Sequence, residues 1–196
     1  MDGAPVESAD GVLAGPIGVL ALQGGYEAHE KILAGLGHKT RRVRAPADLE
    51  GLAGLVLPGG ESSTMLKLID WNGLAEPLDA FARGGRPVLA TCAGLILSAR
   101  AVTGPAQRSF GWLDVDVARN AWGRQNESFE ADDDAGRLHC VFIRAPRILR
   151  VGDGVEVIAT FAGEPIAVRA GAVLGASFHP ELADEPGLHR ALFGAR

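Results

Sequence analysis

The sequence predicts an α/β protein with an open, mostly parallel sheet and helices on both faces. Three observations predict it. Ile17-Gly18-Val19-Leu20-Ala21-Leu22, Leu55-Val56-Leu57 and Val88-Leu89-Ala90-Thr91 are short apolar runs of the kind found in strands buried on both faces. Segments with helical spacing alternate with these runs through the first half. Gly59-Gly60, Cys92 and His179 all follow strand ends, and ligands of open α/β sheets bind beyond the carboxyl ends of the strands.

Each element has its own reason. Met1 to about Gly15 is small, acidic and aperiodic, and is expected to be a flexible tail over residues 1–15. Residues 16–196 are expected to form one domain, since no repeat or linker splits them. After the first strand, Tyr26 to Leu36 has helical spacing and stops at Gly37. Lys39 to Arg44 alternates as a strand. Leu55 to Leu57 leads into Pro58-Gly59-Gly60. Ser62 or Ser63 is placed to cap a helix through Leu68, and a second helix is expected over Leu74 to Ala82. Val88 to Thr91 delivers Cys92. The second half is strand-rich, with candidates at Leu113 to Val117, Leu138 to Ile143, Val155 to Phe161, Pro165 to Arg169 and Val173 to Phe178. Asp132-Asp133-Asp134 reads as a solvated turn, and Pro186 to Phe193 as a closing helix.

Composition narrows the function. A chain of 196 residues with 47% hydrophobic content is long and apolar enough for one full core. A net charge of −5, with no basic run, argues against nucleic acid or an anionic membrane as partner. No segment has the length of a membrane span, and the N-terminus lacks a signal-peptide pattern. Two cysteines, Cys92 and Cys140, do not make a disulfide framework, so a reducing cytoplasm is expected. CxxC, HExxH and GxGxxG patterns are missing from the sequence, which gives no support for a metal or a dinucleotide cofactor.

The chemistry is carried by Cys92. It stands between a strand-like run and the helix-like Ala93-Gly94-Leu95-Ile96-Leu97, as a nucleophile does at a strand-to-helix elbow. So sharp a turn brings the second residues before and after the nucleophile close together, and both must be small; they are Ala90 and Gly94. A helix N-terminus favours thiolate over thiol, and the Ala93 amide is left to face a developing oxyanion. Downstream, Ser177-Phe178-His179-Pro180-Glu181 offers a base and its orienter. Pro180 biases His179 toward extended backbone, where alternate side chains project together. The remaining histidines, His29, His38, His139 and His189, have no such context and read as surface or packing residues.

With Thr91-Cys92-Ala93-Gly94 and a later His179-Pro180-Glu181, the chain resembles the triad glutamine amidotransferases. More closely it resembles the glutaminase subunits of pyridoxal 5′-phosphate synthase. The further matching segments are Gly18 to Gly24, Leu57-Pro58-Gly59-Gly60-Glu61-Ser62, Arg119-Asn120-Ala121-Trp122-Gly123-Arg124-Gln125 and Val141-Phe142-Ile143-Arg144-Ala145-Pro146. The resemblance implies a flavodoxin-like three-layer fold and hydrolysis of L-glutamine to L-glutamate and ammonia by Cys92, His179 and Glu181, without a cofactor. It implies a separate synthase subunit, joined in a large hetero-oligomer, that takes the ammonia. Carried onto this sequence, the glutamine-binding residues are Gly60, Glu61, Ser62, Arg119, Ile143 and Arg144. The oxyanion is expected to meet the Ala93 N–H and an amide at Gly59 or Gly60. Ala90 stands where glycine is usual and Leu95 where methionine is common, and the N-terminal tail is longer than usual. A glutaminase serving another synthase, or a catalytically silent binding module, are the competing readings.

The residues themselves agree with this assignment. Arginine presents a planar fork to an amino-acid carboxylate. Glu61 would repel a phosphate, so Pro58-Gly59-Gly60-Glu61-Ser62 is a poor phosphate loop, although its flexible amides suit an oxyanion.

Overall fold

Apolar runs buried on both sides make the central strands, and these set the place of everything else. The structure is a computed structural model and describes Leu13, residues 15–122 and residues 128–194. The first half runs β1 (Ile17–Leu20), α1 (Tyr26–Gly35), β2 (Thr40–Val43), β3 (Gly54–Leu57), α2 (Ser62–Trp71), α3 (Ala75–Arg83), β4 (Val88–Thr91) and α4 (Ala93–Ser98). The second half runs β5 (Ala99–Thr103), β6 (Leu113–Trp122), β7 (Phe129–Asp132), β8 (His139–Phe142), β9 (Ala145–Val151), β10 (Glu156–Phe161), β11 (Glu164–Ala170), β12 (Val173–Ala176) and α5 (Gly187–Phe193). Single 3-10 turns cover Pro46–Leu49 and Pro180–Leu182.

The central sheet has the order β10-β11-β12-β4-β3-β1-β2. The five strands from β12 to β2 are parallel, and β11 and β10 close one edge antiparallel. Register aligns Leu57 with Ala90 across β3 and β4, and Thr91 with Ala176 across β4 and β12. The chain therefore leaves β3, β4 and β12 at neighbouring carboxyl ends, where Gly59, Cys92 and His179 follow.

Side chains alternate across the sheet into two cores, as the period of a strand requires. Leu55, Leu57, Val88 and Ala90 face one side, against Met65 and Ile69 of α2 and Phe81 of α3. Val19, Val56, Leu89 and Leu174 face the other, against Leu33 of α1 and Leu188 and Phe193 of α5. Helices thus cover both faces. A three-stranded sheet, β5-β6-β9, packs on the first core, and the β7-β8 hairpin on the second.

Several local expectations are corrected. The cap of α2 is Glu61, not Ser62 or Ser63: its carboxylate accepts from the Ser63 and Thr64 amides, and the helix runs on to Trp71. Asp133 is buried rather than solvated, and its Oδ1 accepts from the Arg137 and Leu138 amides. Strands β5, β7 and β9 were not expected. β9 carries Pro146 and two arginines, and pairs with β6 through a shifted register, so no clean alternation marks it. Of the expected tail, residues 1–12 and 14 lie outside the described residues, while Leu13 is buried in the second core. Gly123, Arg124 and Gln125 also lie outside them. No described helix is long and apolar enough to cross a membrane.

Candidate active site

Cys92 caps α4 with φ 48° and ψ −101°, a conformation that side-chain-bearing residues rarely adopt and that costs on the order of 1–3 kcal/mol. Its amide is fixed to the Ala176 carbonyl at 2.8 Å, which ties the elbow to β12. Gly94 is required for a different reason from the one the elbow suggested. A Cβ there would collide with the Leu57 carbonyl of β3, so glycine lets α4 sit down on the neighbouring strand. Ala93 is the first residue of α4, and the first amides of a helix have no intrahelical acceptor.

His179 leaves β12 through Ser177-Phe178, and its amide is held by the Val141 carbonyl at 2.9 Å. Its backbone stands at φ −110° and ψ 85°. Pro180 then opens a 3-10 turn, a position where its missing N–H costs nothing. The turn, rather than a continuing extended chain, brings Glu181 under the imidazole: His179 Nδ1 lies 2.7 Å from Glu181 Oε1. Gly59 packs against the imidazole, where a Cβ would collide with the His179 ring and press on Cys92.

The electrostatics of this pair follow from its neighbours. Burial alone would lower the His179 pKa, but the Cys92 and Glu181 side chains outweigh it and raise it to about 10. Burial likewise opposes ionisation of Glu181, yet the His179 hydrogen bond and the nearby His29 hold its pKa below the ordinary carboxylate value. At neutral pH the arrangement is an imidazolium held by a carboxylate.

One cleft of about 150 Å³ gathers Cys92, His179, Gly60, Glu61, Ser62, Arg119, Ile143 and Arg144, with Ile96 and Asn120. Glu61 is shared between the α2 cap and Arg119, whose Nη2 donates to Glu61 Oε1 at 3.0 Å. Desolvation works against the charged carboxylate, but the Thr64 and Ser63 donors prevail and lower its pKa to about 2. Arg119 is largely buried, and its Nε has no partner among the described residues. Arg144 enters the cleft from a backbone at φ 46°. Gly59 and Ala93 do not line the cleft but flank Cys92 and His179.

A glutamine amidotransferase family model, described as SNO, matches residues 19–193. The chain belongs to the SNO glutamine amidotransferase family. The chain is 49% identical over 179 residues to the pyridoxal 5′-phosphate synthase subunit PdxT of Pelotomaculum thermopropionicum, covering 89% of this chain and 91% of that one. It is 50% identical over 173 residues to the subunit of the same name from Geobacillus kaustophilus, covering 86% and 88%. A solved crystal structure of a glutamine amidotransferase superposes with a TM-score of 0.84 at 45% identity, covering 91% of this chain and 97% of that one.

Within this SNO-family chain, three residues near the site were not singled out from sequence. His29 and His189, read as surface or packing residues, are fully buried and join the site from behind: His29 Nε2 lies 3.3 Å from Glu181 Oε2 and its Nδ1 lies 2.8 Å from His189 Nε2. The available signal was position. His29 shares the inward stripe of α1 with Ile32 and Leu33, and His189 sits beside Leu188 on α5. Gln23 grips the glycine loop, donating to the Glu61 carbonyl at 3.0 Å and accepting from the Glu61 amide at 3.3 Å. A lone glutamine after a strand carries no such message.

Proposed function

We propose that the chain is the glutaminase subunit of a pyridoxal 5′-phosphate synthase. It hydrolyses L-glutamine to L-glutamate and ammonia, and delivers the ammonia to the synthase subunit within a hetero-oligomer. The observation that carries the reading is the 2.7 Å contact of buried Glu181 with His179, which lines one cleft with Cys92 and Arg119. The similarity to synthase subunits over nearly the whole chain supports the choice of synthase. The cytoplasm is the matching compartment, where the free thiols Cys92 and Cys140 stay reduced.

The steps follow from the charges. Cys92 thiolate adds to the side-chain amide carbon of glutamine, and the carbonyl oxygen takes the negative charge. The Ala93 N–H and an amide of Gly59-Gly60 receive that oxyanion. His179, already an imidazolium, gives its proton to the departing nitrogen, and ammonia leaves a thioester on Cys92. The now neutral His179 takes a proton from water, hydroxide adds to the thioester, and collapse releases glutamate and the thiolate. Glu181 holds the imidazole in the tautomer this requires. Arg119 and Arg144 take the α-carboxylate of the substrate, while Gly60, Glu61, Ser62 and Ile143 shape its seat.

A steady-state glutaminase assay of the purified chain with its synthase tests the reading. Ammonia and glutamate are expected in equal amounts, with none from Cys92→Ala; turnover by that variant, correctly folded, would refute it.

A further inference from the structure

Behind the triad runs a buried chain of imidazoles that the reaction itself does not consume. Glu181 presents Oε1 to His179 and turns Oε2 into the protein, where that oxygen has no well-aligned hydrogen-bond partner among the described residues. His29 Nε2, from α1, stands 3.3 Å from it. The same nitrogen lies 3.2 Å from Thr91 Oγ1, on β4 next to the nucleophile. On its far side, His29 Nδ1 meets His189 Nε2 of α5 at 2.8 Å. Both imidazoles are fully buried, and His189 Nδ1 is without a partner among the described residues.

We propose that His29 is a positioning residue for the triad: its neutral ring donates Nε2–H toward Glu181 Oε2, and His189 Nε2–H fixes His29 by donating to its Nδ1. The reading rests on the glutaminase function proposed above. Tautomers can be assigned by elimination, because each neutral ring carries one N–H. If His29 carried its proton on Nδ1, Nε2 would set a lone pair against a carboxylate oxygen 3.3 Å away, leaving a buried charge facing a repulsive partner, the costliest outcome. With the proton on Nε2, Thr91 Oγ1 is a second acceptor and Nδ1 is free to accept from His189. The one group left over is the His189 Nδ1 lone pair on a neutral ring, the cheapest orphan available.

Charge supports the same assignment. Burial dominates His29 and lowers its pKa to about 4, against the opposing pull of Glu181. Burial, with His29 and His38 nearby, also keeps His189 well below its ordinary value. Both rings therefore stay neutral while His179 is charged. The 3.3 Å approach of His29 to Oε2 ties α1 and α5 to the carboxylate, whose Oε1 sets the direction in which His179 faces Cys92.

Two measurements test it. In the folded wild-type chain, two-bond ¹⁵N–¹H correlations of labelled histidine are expected to show His29 and His189 as neutral Nε2–H tautomers at pH 7. A protonated Nδ1 on His29 would overturn the proposal, whatever the variants do. With the synthase present, His29→Phe keeps the ring volume and removes the donor. It is expected to lower kcat about tenfold with KM within about twofold, the lower end of what outer-shell partners contribute at metal sites. His29→Gln, which restores a donor, is expected to recover most of kcat. Unchanged kcat in a folded His29→Phe variant, or equal losses in both variants, would leave a packing role only and overturn the proposal. Failure of the glutaminase reading would appear instead as no ammonia from the wild-type chain with its synthase, or as turnover by Cys92→Ala, so the two claims fail separately.

Discussion

Glu61 Oε1 accepts from Arg119 Nη2 at 3.0 Å and from the Ser63 amide at 3.1 Å, so one carboxylate both starts α2 and aims an arginine. Its other oxygen takes the Thr64 amide at 2.7 Å. Arg119 is thereby held in the cleft with its Nε unpartnered among the described residues. Arg119→Ala is expected to raise KM for glutamine by roughly 10- to 100-fold, the equivalent of one charge-assisted hydrogen bond, with a smaller effect on kcat. Glu61→Ala is expected to raise KM as well and to lower stability by about 1 kcal/mol through the lost cap. Initial-rate kinetics and denaturant titration of the two variants check both, and an unchanged KM in Arg119→Ala would remove it from the substrate seat.

The two cysteines are expected to differ in reactivity. Cys140 is buried in the second core, and burial with nearby aspartates pushes its thiol up to about 12. Cys92 opens onto the cleft beside an imidazolium. A glutamine-like electrophile should alkylate Cys92 at least ~100-fold faster, since Cys92 lines the cleft while burial keeps Cys140 in its unreactive thiol form. Peptide mass analysis of briefly treated protein decides it; equal labelling of both sites would contradict the nucleophile assignment.

Roles within the triad are separable by substitution. His179→Asn should lose as much activity as Cys92→Ala, because the triad acts as a unit. Glu181→Gln should retain a measurable remainder, roughly 10²- to 10⁴-fold below wild type, since the imidazole keeps its place near the sulfur. If Glu181→Gln were the deader of the two, the base and the orienter would have to be exchanged.

How much of this was legible in the sequence depends on whether a residue's message is local. The parallel core was legible because β1, β3 and β4 are buried on both faces and so are written as unbroken apolar runs. The cleft residues could be named from family-like segments, and they do line one cleft. Strands β7 and β9 were not legible. β7 is only four residues long and half charged, and β9 pairs with β6 from elsewhere in the chain while Pro146, Arg147 and Arg150 break its alternation. The reason for Gly94 lies in the Leu57 carbonyl, 37 positions away in the chain, and no local pattern carries it. His29 and His189 read only as surface or packing residues for the same cause, since a histidine 160 residues distant supplies the partner.

Stability should peak between about pH 6 and 7. His29 has its pKa lowered to about 4 in the fold, against 6.5 unfolded. The unfolded chain therefore binds the extra proton first as pH falls, and this contribution, present above pH 6.5, is lost on the way down to pH 4. It amounts to about 3 kcal/mol by linkage. His179 has its pKa raised to about 10, so its contribution is full below pH 6.5 and is lost as pH rises through 10. Denaturant midpoints measured from pH 4 to 10 should fall on both sides, and His29→Gln should reduce the acid-side fall, leaving the part that buried His189 carries, without changing the alkaline side. An acid limb unchanged in that variant would show that other groups carry it.

Ammonia is wasted if hydrolysis runs without the synthase, and the glycine loop offers a means of control. The Gly59 carbonyl accepts from the Gly25 amide at 3.1 Å. In a trans peptide the following N–H points the opposite way, so that bond fixes the direction of the Gly60 amide. Reversing the peptide would break that bond and turn the Gly60 N–H to the side the Gly59 carbonyl now occupies. Glycine permits both states at little steric cost. We expect contact with the synthase to select the state that offers the N–H, a population shift that completes the oxyanion site. The isolated chain should then hydrolyse glutamine slowly, and adding the synthase should accelerate it by roughly 10²–10³-fold, the usual worth of one oxyanion donor. Gly60 stands at φ 157°, where a Cβ would meet Gln23 Nε2 at 2.5 Å. Gly60→Val should therefore abolish most of the acceleration while leaving the affinity for the synthase within a few-fold. Glutaminase rates across a synthase titration, with binding followed in parallel, separate the two effects, and equal rates with and without the synthase would rule the switch out.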